Sequence, residues 1–402
     1  MSAPAPTGYS FLSGYADLLA RADVRRLVIA SMVARLPTAM LPLAILLLIH
    51  ERTGSLAAAG LAVGAFGLGR ALVSPVAGAL VDRMGQVRVL VTGATAQVIL
   101  IIGLVVAVQL GGPLFAVVVV AVVAGAASPP VQACLRALWP VVTSGIPARE
   151  AAYSFDATSQ EVIWIAGPLL VAALLTVGSA AAAVIVSAAI GFAGVALFAS
   201  SPISHGWRGS TSGPRARFGA LAGRDLRVLI VTGSFTGLSW GALTFGLTAL
   251  AVELASNRAS GLLLACVSMG SIAGGLLYGG RRWGWSILRR YRALLVANVA
   301  CGAPLLLAGS VLAAVPMAIL AGVPLAPVYA SAYILTGRAA PNGTTTEAFT
   351  WNSSAFALGV SVGMGLAGAA GQAIDVHAAF ALSCAASAAA WLLSRLIRST
   401  NP

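Results

Sequence analysis

Gly78-Ala79-Leu80-Val81-Asp82-Arg83-Met84-Gly85-Gln86-Val87-Arg88 is a short charged turn framed by glycines. It lies between two long apolar stretches, 56–80 and 89–110. About 20 apolar residues suffice for a helix to cross a bilayer core of roughly 30 Å. Two spans joined by so tight a polar hinge must run antiparallel, side by side.

Working outward, the rest of the chain has the same character. Hydrophobic residues make up 59% of the 402 residues and charged ones 9%, with a mean hydropathy of +0.95. So apolar a chain cannot hide its surface from water, and lipid is the solvent for most of it. Twelve spans are expected, at 27–49, 56–80, 89–110, 113–134, 153–176, 180–200, 228–252, 259–279, 292–310, 312–336, 345–370 and 377–397. Gly, Pro, Ser or charge clusters separate them, as at helix ends. The expected fold is an all-α integral membrane protein.

Arginine placement tests this map. All 24 basic residues are arginine. With the N-terminus cytoplasmic, only Arg52 and Arg258 fall in loops on the far side, while Arg35 and Arg70 fall within spans. This is the positive-inside bias. It accounts for the net charge of +13 through topology and anionic headgroups, with no need for nucleic acid. No cleavable signal precedes the first span, so insertion in a bacterial inner membrane with both termini cytoplasmic is expected. Cys134, Cys266, Cys301 and Cys384 stand singly, and His50, His205 and His377 are far apart; neither pattern predicts a disulfide, a metal site or a cofactor. A phosphate-binding Gly-x-x-x-x-Gly-Lys-[Ser/Thr] loop is missing, which argues against ATP as a direct driver.

The Gly78–Arg88 turn resembles the loop between the second and third helices of major facilitator superfamily transporters, roughly Gly-x-Leu-Ala-Asp-Arg-x-Gly-Arg-[Lys/Arg]. The match rests on Gly78, Asp82, Arg83 and Gly85, with Arg88 slightly displaced. The resemblance implies twelve helices in two pseudo-symmetric six-helix bundles that move a small solute by alternating access. The expected division is a cytoplasmic segment 1–26, a first bundle 27–200, a linker 201–227, a second bundle 228–397 and a tail 398–402. Internal echoes agree with duplication: Arg21–Ile29 recurs as Gly223–Val231, and Ala77–Leu80 as Ala273–Leu276. The resemblance also gives Asp82 a mechanical role, capping the start of the eleventh helix when the transporter faces outward. Thr344-Thr345-Thr346-Glu347 is a capping-box pattern that would begin that helix, with Arg83 and Arg88 serving the same gate or holding headgroups. Gly167-Pro168 is similar to part of the signature of the drug:proton antiporter branch, although Ile163, Val171 and Ala172 replace its outer glycines.

Charged groups inside spans each cost about 2.5–3.5 kcal/mol and need a reason to be there. Arg35, Arg70 and Glu161 all fall near mid-membrane in spans that the family fold places around a central cavity. They are expected either to share one site, with a surplus positive charge for an anionic solute, or to form a structural triad. Glu161 is the candidate for proton coupling. Asp156 is placed about one turn from the cytoplasmic end of its span, within reach of Arg136 or Arg83. Trp164 and Trp240 are the candidate aromatic lining of the cavity. The expected function is secondary transport of a small organic solute by a monomer, by proton-coupled efflux; uptake or exchange of an anionic metabolite, lipid handling and a sensor role remain as alternatives.

Overall fold

A computed structural model of the chain describes residues 13–207, 219–254, 257–281 and 283–398. Much of the expected linker, 208–218, lies outside the described residues. Among the described residues there are twelve long helical runs, eleven of them long and apolar enough to cross a membrane. The first six are α1 (Ala22–Thr53), α2 (Leu56–Met84), α3 (Gln86–Gln109), α4 (Leu114–Val142), α5 (Gly145–Val177) and α6 (Ala180–Ala199). The second six are α7 (Arg224–Leu254), α8 (Asn257–Gly279), α9 (Ile287–Gly302), α10 (Val311–Ala339), α11 (Thr345–Ala373) and α12 (His377–Ser394). Twelve runs return both ends of the chain to one face, called here the terminal side.

Two runs differ from the expected spans in an instructive way. The fifth begins at Gly145, eight residues before the apolar stretch, because Pro147 is tolerated in a first helical turn and the following charges lie outside the apolar layer. The ninth is an α-helix of 16 residues that tightens into a 3-10 turn over Ala303–Leu307, where Pro304 supplies no amide.

Prolines also divide three long runs. α1 breaks at Leu36 before Pro37, α4 between Ala126 and Val131 at Pro129 and Pro130, and α10 at Val323 and Pro324. The breaks in α4 and α10 fall at matching places in the two halves. In the first half, a Cβ on Gly125 of α4 would collide with the Phe66 carbonyl of α2 and approach the Arg70 amide to 3.1 Å. In the second half, a Cβ on Gly322 of α10 would collide with the Val267 carbonyl of α8 and approach the Ser271 amide to 3.0 Å. The packing thus equates Phe66 with Val267 and Arg70 with Ser271, which is the internal duplication seen as close helix contacts.

The opening turn owes its shape to its two glycines. Gly85 sits at φ 89°, where a side chain would be strained, and there α2 reverses into α3. Gly78 lies against α11: a Cβ would come within 2.9 Å of the Glu347 Cα and 3.0 Å of the Thr346 carbonyl. The first glycine therefore serves the contact between halves, and the second serves the turn.

Candidate functional site

Helix α5 sorts the charges, because each residue along it turns the side chain by about 100°. Asp156 and Gln160, four apart, face the interior of the first half. Ser154, Thr158 and Glu161 lie on another face, against α8 of the second half. Adjacent residues Gln160 and Glu161 therefore serve different halves.

On the inner face, Asp156 is fully buried and receives Arg35 Nη1 from α1 at 2.7 Å and Arg136 Nε from α4 at 2.7 Å. Arg35 Nη2 also donates to Gln160 Oε1 at 2.6 Å. Turned so that its amide oxygen faces both guanidiniums, Gln132 accepts from Arg136 at 2.7 Å and from Arg35 at 2.9 Å. The Arg136 guanidinium stacks 3.4 Å above the Tyr333 ring of α10, across the seam. Arg35 is thus committed to Asp156, three turns inside α5 rather than one turn from its end. Arg83 is exposed and takes no part.

On the other face, the buried Glu161 carboxylate accepts from Ser268 Oγ at 3.0 Å and Ser271 Oγ at 3.1 Å. Among the described residues no ion pair joins it to Arg35 or Arg70. The single Arg35–Arg70–Glu161 site expected from the sequence is therefore replaced by two. One is an Arg35–Asp156–Arg136 core within the first half, and the other is a Glu161–serine contact between the halves. Arg70 is exposed, with no hydrogen bond or ion pair among the described residues, and lines a cleft with Thr38, Gln97 and Ser128.

Further contacts cross the seam. Ser154 Oγ donates to the Gly275 carbonyl at 2.7 Å, and Ser354 Oγ to the Ala71 carbonyl at 2.8 Å. Arg290 of α9 forms a two-pronged ion pair with Glu150, with one prong at 2.8 Å. Asp82 accepts from the backbone amides of Thr346 at 3.1 Å and Glu347 at 2.8 Å. These are first-turn amides that α11 cannot satisfy itself, and the positive end of its dipole favours the carboxylate. The capping-box pattern does not cap its own helix: Thr344 Oγ1 donates to the Pro341 carbonyl at 2.8 Å and its side chain makes no cap bond. Asp82, from the other half, fills that place.

The other candidates separate as well. Trp164 is 50% exposed on the far half of α5. Trp240 lies in a pocket inside the second half with Ser239, Asn298 and Phe380, and so does not stand beside Glu161. Gly167 packs on Ala39 of α1, and the helix runs unbroken through Pro168. Arg88 is exposed and Glu347 buried. Among the described residues no group of three or more His, Cys, Asp and Glu could hold a metal ion.

The sequence matches the Major Facilitator Superfamily over residues 27–229, half of the chain. The chain belongs to that family. A search of curated protein sequences finds no match. Its fold resembles that of a bacterial homologue of the iron transporter ferroportin in an outward-facing state, with TM-score 0.74 and 15% identity over 93% of this chain and 98% of that one. It also resembles the human organic anion transporter MFSD10, with TM-score 0.69 and 15% identity over 92% and 99%. A third likeness is to the transporter FucP in its outward conformation, with TM-score 0.70 and 14% identity over 94% and 100%. At these identities the likeness is one of fold. A superfamily fold of this kind is that of a secondary transporter.

Proposed function

We propose that this superfamily member couples export of a small organic solute to proton entry across a bacterial inner membrane, as a monomer with both termini in the cytoplasm. The observation that carries the coupling is Glu161: a buried carboxyl at mid-membrane, on the seam between halves, held by two serine hydroxyls and, among the described residues, no cation. Opening the terminal side parts α5 from α8 and strips both hydroxyls from the carboxylate. The protonated form loses less by that separation, so proton occupancy is tied to which side is open. Export as the direction rests on Gly167-Pro168 and its similarity to the antiporter branch.

In this reading the state described is closed on the cytoplasmic side, with Gly78, Asp82, Gly85 and the start of α11 at Thr344–Glu347 forming the gate. Arg83 and Arg88 flank it toward headgroups. The test is the full-length chain in liposomes carrying a pH-sensitive dye, screened with a panel of organic solutes for solute-evoked proton movement. Glu161→Gln is expected to abolish that movement while leaving solute-for-solute exchange. Proton movement at the wild-type rate in this variant overturns the coupling role.

A further inference from the structure

The duplicated architecture places an equivalent pocket inside each half, and the two differ in how their polar groups are used. In the second half the pocket reaches Ser239, Asn298 and Ser383. Those groups satisfy one another: Asn298 donates to Ser387 Oγ at 2.8 Å, and Ser239 Oγ bonds Ser387 Oγ at 2.8 Å and Ser383 Oγ at 2.9 Å. In the first half the pocket lies beside the breaks in α1 and α4 and is lined by Thr38, Phe66, Arg70, Gln97 and Ser128. Gln97 Nε2 donates to Ser128 Oγ at 2.7 Å, which leaves the serine proton free to be donated. Thr38 is committed to the Arg35 carbonyl at 2.7 Å. Arg70 has no partner among the described residues. The position equated with it across the duplication is Ser271, already bonded to Glu161.

Charge counting points the same way. Among the described residues, three arginines lie within the spans of the first half: Arg35 and Arg136 are buried on Asp156, and Arg70 is exposed to the cleft. Asp156 is saturated by two of the three, and Glu161 faces the other half. An arginine placed at membrane depth without a counter-ion costs free energy that a bound anion would recover.

We propose that Arg70, with the Ser128 hydroxyl, is the anchor for the carboxylate of a small monocarboxylate. The guanidinium presents paired N–H donors that match the two oxygens of a carboxylate. The Gln97–Ser128 bond orients the hydroxyl as a further donor. The proposal rests on the carrier reading above and names its substrate class, but it does not depend on Glu161.

The test uses purified full-length protein in detergent, with benzoate as the probe and benzamide as its uncharged counterpart. Benzoate is expected to raise the melting temperature of the wild type with dose, and benzamide to leave it unchanged. Arg70→Gln is expected to weaken benzoate at least ~10-fold, the loss of one charge-assisted pair. Should Arg70→Gln fail to fold, Ser128→Ala is read in its place, with a several-fold weakening expected. No benzoate effect on the wild type, or equal affinity in the variant read, overturns the assignment. Benzoate binding that survives alongside normal proton movement in Glu161→Gln would overturn the coupling role alone.

Discussion

Asp156→Ala is expected to be the most destabilising single substitution in the membrane core of this protein, lowering the melting temperature by on the order of 10 °C. Its carboxylate is the common acceptor for Arg35 and Arg136, and all three side chains are at most 3% exposed. Breaking a buried ion pair from one side costs about 3–5 kcal/mol, because the remaining charge keeps its desolvation penalty and loses its partner. Here two guanidiniums would be left facing each other, and Gln132 and Gln160 offer only neutral oxygens. Thermal unfolding of the detergent-solubilised protein measures this. Glu161→Gln serves as the comparison, since two serine hydroxyls can bond an amide as well as a carboxylate. A melting temperature for Asp156→Ala close to that of Glu161→Gln would show that the core does not depend on this triad.

Gly78→Val is expected to shift the protein toward a state open on its terminal side. The branched side chain would have to occupy space now held by the Glu347 Cα and Thr346 carbonyl, within 3.0 Å of where its first carbon falls. Backbone cannot swing aside as a side chain can, so α2 and α11 must part. Separation by an ångström is enough to break the bonds from Asp82 to the Thr346 and Glu347 amides. Each hydrogen bond to a charged group contributes about 1.5–3 kcal/mol, which corresponds to roughly 10–150-fold in population. Spin labels at Arg88 and Asn342, both exposed and on opposite halves, report the separation by electron paramagnetic resonance in a background with the four cysteines replaced. Longer distances in Gly78→Val and in Asp82→Ala are the expected result. An unchanged distribution in both would remove this contact from the closing mechanism.

The architecture was legible because the signals that encode it are long: apolar runs, proline and glycine breaks, and the side preference of arginine. The Asp82 contact was legible because a short charged turn keeps its parts adjacent in sequence. The pairing of the buried charges was not. Hydropathy locates the bilayer, and helices continue beyond it. Starting the fifth span at residue 153 placed Asp156 near a helix end, whereas α5 runs from Gly145 and buries that residue three turns in. The same reading grouped Glu161 with Arg35 by depth. Depth ignores azimuth, and the step of five residues from Asp156 to Glu161 turns the second carboxylate away from the first and toward α8. The i, i+4 spacing of Asp156 and Gln160 was a usable signal for the inner face. The serines of α8 carried none, since Ser268 and Ser271 look like ordinary small residues in a helix of glycines and alanines.

The contacts across the seam are divided unevenly between the halves. Among the described residues, each carboxylate hydrogen-bonded across it comes from the first half: Asp82, Glu150 and Glu161. Each group that receives one comes from the second: the α11 amides, Arg290 and the α8 serines. Two copies of the first half would bring acid against acid, and two copies of the second would bring donors against donors. The two halves have divided the labour, and neither supplies both sides of these contacts.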